Sequence, residues 1–230
     1  MRILVVSDIH GNLDAFKAVL ANAGDYDTVI CAGDITGYGA YPSECVHQAR
    51  VAGVHTVRGN HDDAIGGIAS LEDDWFHGEA RQAIDIHRGL LVEEKKRWLR
   101  NLPINISIEL DNRRIAVFHG SPTQPLTSYV PPHDMENYAH LYLGHTASDV
   151  VILGHTHIPY VVRRTDGVVF NPGSVGQPRD GDPRASYAIL KLPELDVDIM
   201  RVEYDVDAAS RAIKDRGLPY SFAQRLYLGL

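Results

Sequence analysis

The chain has 230 residues, 44% hydrophobic and 23% charged, with 20 Gly and 12 Pro. That globular composition excludes a disordered, collagenous or repeat-built protein and supplies a sizeable core. With 22 Lys and Arg against 30 Asp and Glu the formal net charge is -8, which argues against the broad basic groove that duplex nucleic acid requires but not against a small phosphate-bearing ligand held by local positive charge or by metal.

Ile3–Val6 is a continuous apolar run, the pattern of a strand buried on both faces. Leu13, Phe16, Val19, Leu20 and Ala23 follow at helical spacing, and Gly24 closes that helix. Thr28–Cys31 reads as a second strand, Pro42 to Ala52 as a helix opened by proline and closed by Gly53, and Val54–Val57 as a third strand. This alternation implies parallel pairing through right-handed crossovers. Residues 64–102 differ. They open on a flexible Gly66-Gly67 pair and continue as two helices, one with Ala80, Ala83, Ile84 and His87 on a face, the other with Glu93 and Glu94 early and Lys95, Lys96, Arg97 and Arg100 late, the order the helix dipole favours. We read this stretch as a helical insertion or cap. Strands are expected over 104–109, 113–118, 150–153, 160–165, 168–170, 186–191 and 196–204, with a type I′ hairpin turn on Asp166-Gly167. A helix near 205–216 precedes an aromatic tail whose Tyr220, Phe222, Leu226, Tyr227 and Leu228 are expected to cover the core. Without internal repeats or a low-complexity linker, residues 1–230 are expected to form one domain. Cys31 and Cys45 make neither a disulfide framework nor a C-x-x-C centre, and no apolar run is long enough for a signal-peptide core or a membrane span. A cytoplasmic protein with no membrane partner is expected.

The chemistry collects where strands end. Ile3–Val6 leads into Ser7-Asp8-Ile9-His10-Gly11-Asn12, Val29–Ala32 into Gly33-Asp34, and Val54–Val57 into Arg58-Gly59-Asn60-His61-Asp62. Ile115–Phe118 leads into His119-Gly120, and Val150–Leu153 into Gly154-His155-Thr156-His157. Ligands of open α/β sheets gather outside the carboxyl ends of the strands, so Asp8, His10, Asp34, Asn60, His119, His155 and His157 are expected along one edge of the core. Asp8 and His10 stand two apart, as do His155 and His157, and an extended backbone would aim each pair the same way. Imidazoles mixed with oxygen donors suit Mn, Fe, Zn, Co or Ni better than Ca or Mg.

Asp8-x-His10, Gly33-Asp34, Gly59-Asn60-His61-Asp62, His119 and Gly154-His155-x-His157, in this order, resemble the calcineurin-like metallophosphoesterase superfamily, above all its small prokaryotic phosphodiesterase-like branch. Asn171-Pro172-Gly173-Ser174 resembles a further segment of that branch. The resemblance implies an α/β fold, a four-layer α/β/β/α sandwich of two mixed sheets with flanking helices. It also implies two divalent transition-metal ions, Mn foremost, roughly 3.5–4 Å apart. One would be held by Asp8, His10, Asp34 and His157, the other by Asp34, Asn60, His119 and His155, with Asp34 bridging. The implied reaction is hydrolysis of phosphodiester or nucleotide-type substrates by a metal-bridging hydroxide, with His61 as the catalytic acid for the leaving group. Phosphomonoesters and dinucleoside polyphosphates are the alternative substrates, and a non-catalytic binding scaffold is the alternative from another class.

One departure from the wider superfamily bears on substrate. Where the protein-phosphatase branch continues to a second Asp and an Arg that grips phosphate, this chain has Gly37 and Tyr38. His61 therefore lacks that carboxylate partner, and Asp62 or Asp63 is left as a possible replacement. A phosphate dianion needs more cationic clamping than a diester monoanion, which favours diesters. Arg58 and Arg179 are the expected substitutes for the lost guanidinium, and Asn12 is a further expected substrate contact. His47, His55, His87, His133 and His140 have no motif context and are expected on the surface or on helix faces. His145, in a Gly144-His145-Thr146 copy of the later motif, falls at the wrong end of the sheet and is excluded.

Overall fold

The opening apolar run becomes β1 (Arg2–Val6), the central strand of a sheet ordered β10-β9-β1-β2-β3. The computed structural model describes residues 1–68 and 76–230. After β1 come α1 (Leu13–Asn22), β2 (Thr28–Cys31), α2 (Pro42–Val51) and β3 (His55–Thr56). β1 pairs parallel with β2 and β2 parallel with β3, as the strand-helix alternation requires. The helices α3 (Asn60–Gly66), α4 (Gly78–Leu90) and α5 (Glu93–Arg100) then lead to β4 (Asn105–Leu110), β5 (Arg113–Phe118), α6 (Pro132–Thr146), β6 (Val150–Ile152), β7 (Tyr160–Arg164) and β8 (Gly167–Asn171). These five strands form a second sheet ordered β4-β5-β6-β8-β7. The chain returns to the first sheet with β9 (Ala185–Lys191), antiparallel to β1, and β10 (Asp196–Val202), before α7 (Val206–Asp215) and α8 (Tyr220–Leu228).

Side-chain alternation along β1 accounts for the layering. Leu4 and Val6 pack with Phe16 and Val19 of α1 and with Cys45 and Val46 of α2, whereas Ile3 and Val5 face Ile115, Val117, Ile152 and Phe170 of the second sheet. The outer face of that sheet meets α6 through Ala116, Val151 and Val169 against Met135, Ala139 and Leu143. Helices, sheet, sheet and helix are thus four layers joined by three apolar seams, in which each fully buried aliphatic side chain contributes about 1.5–3 kcal/mol. The sandwich brings the carboxyl ends of β1, β2 and β3 against those of β5 and β6. Gly154, just past β6, makes that contact possible: a Cβ there would overlap Ser7 Oγ and lie 2.9 Å from the carbonyl oxygen of Ala32.

Several local expectations change. Asn60 opens a helix, α3, that the strand-end reading did not include. Its C-terminus is pinned rather than hinged, because Gly66 is its last residue and Gly67 caps it in the left-handed conformation. Arg88 of α4 donates to the carbonyl of Ala64 at 3.0 and 2.7 Å, and Arg100 of α5 donates to that of Gly66 at 2.7 Å. Two helices of the expected cap thereby satisfy the orphan carbonyls of α3 and place cations at the negative end of its dipole. Residues 69–75, inside that cap, lie outside the described residues. The β7–β8 hairpin turns on Thr165 and Asp166, neither at positive φ, with Gly167 already paired to Arg164, so the turn is not type I′. In the tail, Phe222 and Leu226 join a buried cluster while Tyr220, Tyr227 and Leu228 are exposed. Among the described residues no helix is long and apolar enough to cross a membrane.

Gly154→Ala is expected to lower stability by at least about 2 kcal/mol through overpacking. Gly89→Ala, in open space within α4, should be neutral or stabilising by about 0.5 kcal/mol. Thermal melts of the two variants check the pair.

Candidate metal centre

Seven strand-end residues meet at this seam in two clusters. In the first, His10 Nδ1 donates to the carbonyl of Thr36 at 3.0 Å and His157 Nδ1 donates to that of Gln177 at 2.6 Å. Both protons are thereby assigned, and the two Nε2 lone pairs oppose each other at 3.0 Å. Asp8 Oδ1 stands 3.6 Å from His10 Nε2 and 3.3 Å from His157 Nε2, fully buried and without a hydrogen-bond partner. Its other oxygen accepts from Ser7 Oγ at 2.6 Å and from the His155 amide at 3.1 Å. In the second cluster, His119 Nδ1 donates to the carbonyl of Ala32 at 2.8 Å, which turns Nε2 toward Asn60 Oδ1 at 2.8 Å, His155 Nδ1 at 3.1 Å and Asp34 Oδ2 at 3.3 Å.

Asp34 joins the clusters. Its Oδ1 accepts the amide of His61 in the first turn of α3 at 2.9 Å, and its Oδ2 faces both His119 and, at 3.7 Å, His10. Donors bound at 2.0–2.2 Å to one transition metal stand about 2.8–3.6 Å apart, close to the spacings within each cluster. An orphaned carboxylate oxygen, opposed imidazole lone pairs and this spacing together fit divalent cations, which relieve a repulsion that hydrogen bonds cannot.

Protonation follows the same logic. Burial pushes His155 down to about 3, helped by His119, and His157 down to about 4, helped by Arg179, so both keep free lone pairs. Burial opposes the charge on Asp8 and Asp34, yet the surrounding imidazoles hold both carboxylates well below their usual range. For His119, burial opposes the charge, but Asp34, Asp8 and the carbonyl of Ala32 together lift it to about 9, so a metal there would displace a proton.

The backbone is not extended at these residues. Asp8, His10, Asp34, His155 and His157 have φ of 53, 49, 54, 67 and 61°, left-handed values that each cost a non-glycine residue about 1 kcal/mol or more. Hydrogen bonds enforce them: Asp8 N–H donates to Gly33 and His10 N–H to Asp34, while the carbonyl of Asp8 accepts from the Gly176 amide and from Ser174 Oγ. Asn171 Nδ2 holds the carbonyl of Gly154 at 2.7 Å. The Asn171–Ser174 segment is therefore a brace behind the centre.

A cleft of about 260 Å³ opens over the clusters, lined by Asp34, Asn60, His155 and His157 together with His61, Tyr38, Phe76, Ala80 and Arg179. Arg179 lies across the Tyr38 ring, 5.8 Å from its centroid. The other two expected substrate contacts are engaged elsewhere. Asn12 caps α1 by accepting from Ala15 N–H at 3.1 Å and donates to the carbonyl of Gly176 at 3.0 Å. Arg58 pairs with Asp63 at 2.9 Å and donates to the carbonyls of Arg100 and Leu102. Neither carboxylate offered for His61 reaches it: Asp63 is on Arg58, and Asp62 accepts from the amides of Ile35, Thr36 and Gly59 and from Thr36 Oγ1. Of the five histidines expected on the surface or helix faces, His87 lies on the buried face of α4 beside Ala83 and Ile84, and the excluded His145 is exposed at the end of α6. Ser7, Phe76 and Gln177 also serve the site without a signal at sequence level; Asp62 had one, as an acidic residue three places after Gly59 at a helix start.

The family model for the calcineurin-like phosphoesterase superfamily domain matches residues 1–194. The chain belongs to this superfamily. The protein MJ0912 of Methanocaldococcus jannaschii is 36% identical, the match covering 99% of this chain and 98% of that protein. Phosphodiesterase YfcE of Escherichia coli is 29% identical over 86% of this chain and 91% of its own. The crystal structure of a metallophosphoesterase from Sphaerobacter thermophilus superposes with a TM-score of 0.85 at 38% identity, covering 100% of this chain and 99% of that one.

Asp34→Asn removes the charge both clusters face and is expected to lower bound metal to well below half of the wild-type content. Elemental analysis after dialysis is the measurement.

Proposed function

We propose that the chain is a metal-dependent phosphodiesterase acting on small phosphodiester or nucleotide-type substrates. The observation that carries this reading is Asp34 Oδ2 facing His10 and His119 at once, with the cleft directly over it. Asp8, His10, Asp34 and His157 would hold one ion and Asp34, Asn60, His119 and His155 the other. The mixed imidazole and oxygen donors favour Mn, with Fe, Zn, Co or Ni also suited. Bound there, such ions would supply Lewis-acid chemistry: activation of a water and neutralisation of charge on phosphoryl oxygens.

The chain's own residues supply the rest. Arg179 is the one guanidinium lining the cleft among the described residues, enough to pair with a diester monoanion but a thin clamp for a monoester dianion. The YfcE relative, named a phosphodiesterase, supports the same choice. His61 rides on the first turn of α3, beside the shared carboxylate. Its Nδ1 is buried, leaving Nε2 to hold the proton that passes to the leaving oxygen. Burial keeps this ring neutral well below its ordinary pKa, and an entering phosphate brings the negative charge that favours its protonated form.

The test is metal analysis of purified protein followed by assays with added Mn on cyclic nucleotides, dinucleotides and monoesters. Bis-p-nitrophenyl phosphate is expected to be cleaved in preference to p-nitrophenyl phosphate, and the reverse order would move the assignment to a monoesterase. His61→Ala should lower turnover about 100-fold on a diester with a poor leaving group with metal content intact; an unchanged rate would remove the acid role.

A further inference from the structure

An imidazole that hands over a proton is normally oriented by a hydrogen bond on its other nitrogen. His61 has none: its Nδ1 is buried without a partner, and Gly37 occupies the ground from which a carboxylate could have reached it. The ring is held by contact instead. Tyr38 lies 4.5 Å away between centroids, Phe76 4.8 Å and His10 4.9 Å. Beneath it runs the backbone of Gly37, so close that a Cβ there would lie 2.8 Å from His61 Nδ1 and 2.7 Å from His10 Nδ1. Orientation by packing is only as good as the wall, and residues 37–39 are a loop of two glycines around Tyr38, whose own φ is 40°. Such a loop does not hold itself in place.

The Gly39 amide donates to the carbonyl of His10 at 2.8 Å and Phe222 packs on the Tyr38 ring; the remaining support comes from α4. His87 is fully buried, its Nδ1 accepts the Gly37 amide at 3.2 Å, and its Nε2 donates to the carbonyl of Gly39 at 2.8 Å. One acceptor and one donor are the whole capacity of a neutral imidazole, and both are spent on the two glycines flanking Tyr38. We propose that His87 is a positioning residue for His61: it latches the Gly37–Gly39 wall against the ring and so takes over the orienting task that a carboxylate partner would perform. Burial also drives His87 down to about 4, so the ring stays neutral and the latch closed near neutral pH.

This inference rests on the acid role of His61, and the experiment separates the two. Metal-loaded wild-type, His87→Leu, His87→Gln and His61→Ala proteins are compared on a series of phosphodiesters of graded leaving-group basicity, with metal content and melting temperature measured for each. A misaligned acid hurts poor leaving groups selectively. His87→Leu is therefore expected to lose about tenfold or more in kcat on an alkyl leaving group and less than about threefold on bis-p-nitrophenyl phosphate, with two metals retained. His87→Gln, whose amide can restore a donor and an acceptor, should recover part of the loss and serves as the folded variant if His87→Leu is unstable. A loss uniform across leaving groups, a loss of metal, or no loss in either variant overturns the inference. If His61→Ala itself shows no leaving-group selectivity, the acid reading fails first; if it does while His87→Leu does not, only the latch fails.

Discussion

The Asp34 carboxylate ties the site together. One oxygen is anchored by the His61 amide at the positive end of α3, and the other faces both His119 and His10. That single side chain touches three sequence segments far apart along the chain. It also sets the local electrostatics: it lifts His119 while itself staying ionised despite complete burial. A carboxylate in this position is stable only among cations or their proton equivalents, so the preference for metal is built into the fold before any ion arrives.

Backbone strain is distributed over the same residues. Five of the seven strand-end residues of the candidate centre sit at positive φ, an arrangement no short peptide would hold. It persists because the turns after β1, β2 and β6 hydrogen-bond to each other and to the Asn171–Ser174 segment. Strain concentrated where function lies, and paid for by the surrounding sandwich, is the expected pattern for a preorganised site.

The cleft is shaped by parts of the chain far from the motifs. The 78–100 helices pin α3 and latch the Gly37–Gly39 loop. The C-terminal helix places Phe222 4.9 Å from the Tyr38 ring, and the carbonyl of Gly229 accepts from the Gly181 amide in the loop that carries Arg179. Both ends of the cleft thus depend on long-range packing.

Strand order in the first three units, the placement of α4 and α5, and the identity of the strand-end donors were all readable from apolar runs and the residues that follow them, because those are local patterns: a doubly buried strand must be apolar, and a motif's spacing survives any packing. The Gly66-Gly67 pair, the hairpin turn and the backbone at Asp8 and His10 differ from the local pattern for the opposite reason, since each is decided by what packs against it: Arg88 and Arg100, the β7–β8 register, and the hydrogen bonds to Gly33 and Asp34 and from Gly176. Arg58 and Asn12 were claimed by nearer partners, while the place of His87 on the apolar face of α4 gave no hint of its two partners in the Gly37–Gly39 loop. Sequence alone determined which donor side chains stand at the strand ends; only the tertiary structure decided which of them face the cleft, because a side chain's partner is set by distance in space and not by distance along the chain.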